Sequence, residues 1–150
     1  LGDVYKRQSL NMFIQKEIEV TIDKKGFYDI TPIINEAVSK HRINKGLCSL
    51  FIKHTSASLI IQENADPRVL DDLTTFLNNI APEGDDYSHD EEGPDDMPAH
   101  IKSMLTNTEI SIPIKDTKLD LGTWQGIFLI EHRNIQNDNI RRLITVSLIA

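Results

Sequence analysis

The sequence predicts an α+β fold: a compact single domain with a mainly antiparallel sheet, two principal helices and one short helix. Three observations predict it. The N-terminal segment alternates apolar and polar residues, two later segments repeat apolar residues at helical spacing behind a proline, and the last third of the chain contains three more strand-like segments. Strands grouped in this way differ from the regular strand–helix–strand repeat of parallel sheets.

The first half of the chain predicts a strand, a helix and two further strands. Phe13–Ile22 carries apolar residues at even positions, which indicates a half-buried strand, and "KKGF" then turns the chain. Thr31 followed by Pro32 predicts an N-cap and the first position of a helix that ends before Gly46. "LCSLFIK" and "SLIIQ" are rich in β-favouring residues and predict two strands, or one long bent strand, interrupted by "HTSAS".

The second half predicts the clearest helix and the remaining strands. Asp66 is the expected N-cap and Pro67 the first residue of the second helix, which stops at Pro82. A long acidic connection, residues 82–97, precedes a short helix beginning at Pro98. The apolar face of the second helix is Val69, Leu70, Leu73, Phe76, Leu77 and Ile80, and the predicted strands are 109–114, 126–133 and 141–149.

Composition excludes several classes of protein. The 150 residues, 39% of them hydrophobic, suffice for one domain, and the net charge of −7 argues against a nucleic-acid surface. The apolar runs are too short for a membrane span, and no signal-peptide pattern is evident, so we expect a cytoplasmic protein. Cys48 is the only cysteine and is predicted to be a buried strand residue without redox function.

The first eleven residues are predicted to be non-native. "LGDVYKRQ" lacks apolar periodicity and resembles the translation of a transposon end used in preparing sequencing libraries, and residues 9–11 are expected to be upstream readthrough. The domain is therefore predicted to comprise residues 12–150, with Met12 as the start.

Four histidines lie at predicted loops or strand ends: His54, His89, His100 and His132. Imidazole and carboxylate are the ligands of catalytic zinc and other divalent ions, but the spacing matches no strong metal motif, and each histidine taken alone favours a structural, hydrogen-bonded role. The acidic connection has two interpretations, a solvated charged loop or a set of ligands, and composition does not decide between them.

Three other features leave alternatives open. The hydroxyls of "HTSAS" are expected to bind a ligand or the backbone, since a nucleophile elbow is lacking. Trp124 in "GTWQGI" suits either packing or stacking on a planar ligand. Arg133, Arg141 and Arg142 could hold a phosphate or be surface charge, and the long polar segment between Arg133 and Arg141 bears on whether the last two reach a site.

Four stretches together resemble the YjbQ family, also called the secondary thiamine-phosphate synthase family: "MFIQKEIEV", "HTSASLIIQENADPRVLDDL", "YSHDEEGPDDMPAHIK" and "LDLGTWQGIFLIEHR". The resemblance extends from Met12 almost to the end of the chain. It implies a compact α+β domain, a homotrimer, and a polar site for a small-molecule ligand. It also implies the joining of a hydroxymethylpyrimidine pyrophosphate to a thiazole phosphate, with release of pyrophosphate.

The resemblance also implies the site residues. The expected catalytic residues are His54, Asp95, Asp96, Glu131 and Arg133. The expected substrate-binding residues are Thr55, Ser56, Asn64, Lys102, Trp124, Gln125 and His132. The expected ligands of a divalent metal ion, magnesium or zinc, are His54, His89, His100 and Asp90.

Three functions therefore compete. The first is a thiamine-phosphate synthase assisted by a divalent ion. The second is a metal-dependent hydrolase of another phosphorylated or glycosidic substrate, with Glu131 as general base. The third is a trimeric binding protein without catalysis, in which the motif residues form a subunit interface.

Overall fold

The computed structural model describes residues 12–84 and 86–150, so the prediction for residues 1–11 lies outside the described part of the chain. The helices are α1 Thr31–Ser39, α2 Pro67–Ile80 and α3 Asp96–Leu105. The strands are β1 Phe13–Ile22, β2 Gly26–Asp29, β3 Lys45–Ile52, β4 Ala57–Glu63, β5 Glu109–Lys115, β6 Lys118–Leu119, β7 Gln125–Glu131 and β8 Ile140–Ile149.

The strands form two antiparallel sheets, one of five strands in the order β1-β8-β3-β5-β6 and one of three in the order β2-β7-β4. β1 and β8 pair along their whole length, from Phe13 opposite Ile149 to Ile22 opposite Ile140. The α+β fold with a mainly antiparallel sheet is thus confirmed. None of the helices in the described ranges is long and apolar enough to cross a membrane.

One hydrophobic core joins the two sheets and α1. Leu50 and Ile144 from the large sheet, Leu129 from the small sheet, and Ile34 and Val38 from α1 are all fully buried in it. The alternation of β1 follows from this packing, because Val20 and Ile22 face the core while the residues between them face water. Cys48 is buried in the same core, and burial raises the pKa of its thiol to about 12, as expected for an inert strand residue.

The helix starts were predicted with mixed success. Asp66 caps α2 by accepting the Arg68 N–H at 3.0 Å, as predicted. The prediction that Thr31 is an N-cap was wrong. Thr31 is the first residue of α1, where its N–H is bound by the Asp29 carboxylate at 3.0 Å and its own Oγ1 accepts the Ile127 N–H at 2.8 Å.

The third helix is longer than predicted. It begins at Asp96 rather than Pro98, so Pro98 is its third residue, where the missing N–H would have had no helical partner. Two short strands, β2 and β6, were not predicted. After a turn at residues 23–25 the chain continues as β2 from Gly26, so "KKGF" is a turn followed by a strand.

Helix α2 keeps its apolar face exposed. No residue of α2 is buried, and Phe76 and Ile80 are 60% and 49% exposed. The segregation of apolar residues on one face was predicted correctly, but that face contacts little within the chain.

Candidate metal centre

The site forms at one end of the β4–β7 ladder. Ala57, at the start of β4, lies opposite Glu131, at the end of β7. The chain segments just outside this pair therefore meet, and the His132 N–H donates to the Ser56 carbonyl at 3.2 Å. Helix α3 packs against the same end, where Ser103 Oγ donates to the Ala57 carbonyl at 3.2 Å. Three of the quoted motifs are brought together by these backbone contacts.

His89, Asp96 and His100 form a compact cluster of potential metal ligands. Nε2 of His89 lies 2.6 Å from Asp96 Oδ2, and Nε2 of His100 lies 3.2 Å from the same oxygen. One ligand atom from each residue lies within 4.8 Å of the others. Two ring nitrogens facing one carboxylate oxygen require protons or a cation between them. Imidazole and carboxylate are suitable donors for a divalent ion such as zinc.

A backbone contact fixes the orientation of His100. Its Nδ1 lies 3.0 Å from the Thr55 carbonyl oxygen, which can only accept, so Nδ1 carries a proton. In the neutral ring the lone pair is then on Nε2, which faces Asp96. Metal-binding histidines are typically held in this way by a hydrogen bond at the nitrogen that does not bind the metal.

Arg133 holds the two aspartates at the start of α3. Its Nη1 lies 3.1 Å from Asp96 Oδ1 and its Nη2 lies 3.2 Å from Asp95 Oδ1. The N–H of Asn134 also donates to Asp95 at 2.9 Å. Burial by itself raises the pKa of both carboxyls. For Asp95, hydrogen bonds from Arg133 and Asn134 outweigh burial and leave the pKa below its usual range. For Asp96, a hydrogen bond from His89 and the positive charge of Arg133 have the same effect on the pKa.

Arg133 also anchors the acidic connection, since its Nη2 donates to the Glu92 carbonyl at 2.7 Å. Gly93, which adopts φ +105°, allows the backbone to turn there. At the other end of the connection, the Tyr87 hydroxyl donates to the Pro82 carbonyl at 3.0 Å. These contacts hold the described residues of the connection beside the histidine cluster.

Glu131 and Arg142 form a buried ion pair next to this cluster. Glu131 is fully buried, and Arg142 binds both of its oxygens, with Nε–Oε2 at 2.6 Å and Nη2–Oε1 at 3.1 Å. Arg142 thus reaches the site, whereas Arg141 pairs with the exposed Glu19 at 3.3 Å. A carboxylate bound in this way is poorly suited to the general-base role considered for Glu131.

His54 lies near the cluster but outside it. Its Nδ1 accepts the Ser56 N–H at 3.0 Å, so the neutral ring carries its proton on Nε2. Burial and the charge of Arg142 lower its pKa. His54, Thr55 and His100 line one side of an open cavity of about 530 Å³. Two residues predicted as metal ligands, His54 and Asp90, are not among the described residues that converge, and Asp90 is exposed.

His132 is buried, and its side chain is hydrogen-bonded inside the protein. Its Nε2 lies 2.9 Å from Ser58 Oγ, which also accepts the Thr106 hydroxyl at 2.6 Å. Burial and the charges of Lys102 and Lys25 lower the pKa of His132 to about 3. The residue is 2% exposed and does not line the open cavity that His54 and His100 share.

The remaining predicted residues lie elsewhere. Lys102 is on α3 but points away from His100, since residues two apart differ by about 200° around a helix. Burial and the neighbouring Lys25 lower the pKa of Lys102 to about 8. Asn64, Trp124 and Gln125 lie at the opposite end of the β4–β7 ladder, and Trp124 is 64% exposed.

Sequence reasoning placed Asp96 among the catalytic residues and did not consider it as a metal ligand. The available signal was the i, i+4 spacing of Asp96 and His100, which puts both side chains on one helix face. That signal was hidden because the helix was expected to begin two residues later, at Pro98.

The fold and this cluster define an α+β protein of two antiparallel sheets with a His–Asp–His arrangement at the end of the smaller one. Residues 16–150 match the family described as "UPF0047 protein YjbQ-like", and the chain belongs to that YjbQ family.

Similar proteins come from bacteria and archaea. A UPF0047 protein of Synechocystis is 50% identical over 79% of this chain and 82% of its own, and the UPF0047 protein YjbQ of Escherichia coli O157:H7 is 42% identical over 81% and 89%. A crystal structure of a YjbQ/UPF0047 family protein from Clostridium acetobutylicum superposes with a TM-score of 0.75 at 35% identity, covering 90% of this chain and 98% of the other.

Proposed function

We propose that the chain is a divalent-metal-dependent enzyme that acts on a small phosphorylated substrate. The observation that carries this proposal is the convergence of His89, Asp96 and His100, whose ligand atoms lie within 4.8 Å of one another. Two imidazoles and one carboxylate favour zinc over magnesium, which prefers oxygen ligands and keeps much of its water. Three protein ligands are also the usual number in a catalytic zinc site, which keeps a position open.

The neighbouring residues support this proposal by their positions. A divalent ion bound there would polarise a phosphoryl or carbonyl oxygen of the substrate. Arg133 fixes the Asp96 carboxylate through Oδ1 and leaves Oδ2 facing the two histidines. His54 holds a proton on Nε2 and lines the same open cavity as His100, so it can donate a hydrogen bond to a substrate in that cavity.

The reaction we propose to test first is the thiamine-phosphate synthase reaction that the family resemblance implies. The test mixes the two precursors with protein supplied with zinc or magnesium and measures pyrophosphate release. Product that is lost in Asp96→Asn supports this reaction. Pyrophosphate or phosphate released from one precursor alone favours the hydrolase alternative, and no turnover with either metal contradicts the synthase reaction.

Metal binding can be tested without knowing the substrate. We expect metal-stripped protein to bind one zinc ion in a calorimetric titration, and Asp96→Asn to weaken binding by more than the roughly 10- to 100-fold typical of losing an outer-shell partner. Asp90→Asn is the matched control, since it removes a carboxylate that lies outside the cluster in the same segment. Equal zinc affinity in the wild type and Asp96→Asn would refute the proposed centre.

We also propose that the chain assembles as a homotrimer, as the resemblance implies. Exposed apolar surface supports self-association. The row formed by Phe13, Ile149 and Leu47 crosses three neighbouring strands of the large sheet, each of these residues being 38% exposed or more. Light scattering on the purified protein tests the trimer, and a monomer at all concentrations would contradict it. The cytoplasmic location stays a prediction.

A further inference from the structure

A second cavity lies on the other side of α3. It has a volume of about 240 Å³, and its polar lining includes the amines of Lys25 and Lys102. Its apolar wall consists of Phe27, Leu77 and Ile130. Because Lys102 and His100 point in nearly opposite directions from the helix, this cavity is distinct from the candidate metal centre.

The Lys102 side chain is unusual in its burial and its partner. Its residue is 2% exposed, and Nζ donates at 2.7 Å to Oδ1 of Asn78, a neutral amide. Lysine is almost never fully buried unless it is paired with an opposite charge, because burying an uncompensated ammonium is costly. Lys25 lines the same cavity, and the like-charge repulsion from its amine contributes to lowering the pKa of Lys102.

Two of the three neighbouring carboxylates are bound by arginines, and the third makes a long contact with Lys25. Glu131 lines the cavity, but Arg142 binds both of its oxygens. Asp95 is bound by Arg133, and Glu83 lies 3.9 Å from Lys25 Nζ in a partly exposed contact. Within the described residues, Lys102 therefore has no carboxylate within ion-pair distance, and Lys25 has only the longer contact with Glu83.

We infer that this cavity binds the oxyanion group, phosphate or carboxylate, of a small molecule, between the amines of Lys25 and Lys102. An oxyanion there would accept hydrogen bonds from both lysines and replace their mutual repulsion by attraction. The volume is below the roughly 300–1,000 Å³ of pockets that hold drug-sized ligands, so it fits an anionic group with a short apolar attachment. The apolar wall receives that attachment.

The test is a calorimetric titration of metal-stripped protein with inorganic phosphate and, separately, with acetate. We expect the wild type to bind at least one of these anions, and Lys25→Met and Lys102→Met each to weaken binding at least about tenfold, because each loses a charged donor. Lys40→Met is the matched control and should bind like the wild type, since Lys40 is an exposed lysine paired only with Glu36. The anion that binds more tightly identifies whether the natural ligand is a phosphate or a carboxylate.

Two results would overturn the inference: no binding of either anion by the wild type, or unchanged affinity in both lysine variants. Circular dichroism checks folding. If Lys102→Met does not fold, Lys25→Met decides, because Lys25 is partly exposed and its replacement removes no buried group. Anion binding by His100→Ala should equal that of the wild type, so this cavity and the metal centre can fail or succeed independently.

Discussion

The two ends of the β4–β7 ladder carry residues of the same motifs but differ in the contacts that fix those residues. At the first end, Ala57 opposite Glu131, the side chains are bound to one another by buried ion pairs and hydrogen bonds. At the second end, Glu63 opposite Gln125, the contacts are local: the Asn64 N–H donates to the Trp124 carbonyl at 2.9 Å, and Gln125 Oε1 accepts the Gly122 N–H at 2.7 Å.

Distance separates the two ends as well. Six residues of strand at about 3.4 Å each place them about 20 Å apart. A small ligand at the first end therefore cannot contact Trp124, Gln125 or Asn64 of the same chain. These three residues can contribute to a site at the first end only if a second copy of the chain brings them there.

The largest expected effect is the loss of the buried pair at the first end. Arg142→Met leaves Glu131 as an uncompensated buried charge, which should lower the free energy of unfolding by about 3–5 kcal/mol in urea denaturation. Arg141→Met is the matched control. Arg141 pairs with Glu19 on the exposed surface, so the change there should be within about 0.5 kcal/mol. Equal effects would mean that the buried pair does not stabilise this end.

The second expected effect is a dependence of stability on pH caused by His132. Burial holds its pKa at about 3 in the folded protein, whereas the unfolded chain has the ordinary value of about 6.5. Between these values the unfolded state binds more protons, so the free energy of unfolding falls as the pH is lowered, by up to about 1.4 kcal/mol per pH unit.

His132→Gln tests this effect, because glutamine keeps a polar partner for Ser58 but does not titrate. Urea denaturation of metal-stripped protein at several pH values from 6.5 to 4 should give a shallower slope for the variant. Asp95 and Asp96 also lose stabilising interactions in acid, but their lowered pKa values place that loss below about pH 4. His54, whose pKa is also lowered, adds the same contribution to the slope of both proteins, so the difference between the slopes reports His132. A slope in the variant equal to that of the wild type would contradict the assignment to His132.

The features that sequence reasoning predicted are those fixed by neighbours along the chain. The alternation of β1 and the Asp66 cap of α2 depend on residues within one or two positions. The two short strands, β2 and β6, have too few residues to show a strong pattern of their own. Each is defined by its pairing with a neighbour, β2 with β7 and β6 with β5. The fold class could therefore be predicted without every strand.

The site shows the same limit. His89 and His100 could be selected from their positions at predicted loops and within a family-like motif, but the choice of Asp96 as the third ligand depends on where α3 begins. Lys25 and Lys102 are distant in sequence, and only folding brings both to the lining of one cavity. Glu131 is paired with Arg142, which lies on another strand. The sequence alone therefore could not show whether the Glu131 carboxylate is held in an ion pair or is free to act as a general base.

The smallest effect within one chain is expected at the second end. Trp124→Ala removes a side chain that is mostly exposed, so the free energy of unfolding should change by about 0.5 kcal/mol or less, and zinc affinity should stay at the wild-type value. In the proposed homotrimer a second copy would cover the indole, and large aromatic side chains contribute strongly to such contacts. Light scattering over a dilution series should therefore show the variant dissociating at a higher protein concentration than the wild type. Weaker zinc binding by a fully assembled Trp124→Ala would contradict this expectation and show that the indole of a neighbouring copy reaches the histidine cluster, because within one chain the two ends lie about 20 Å apart.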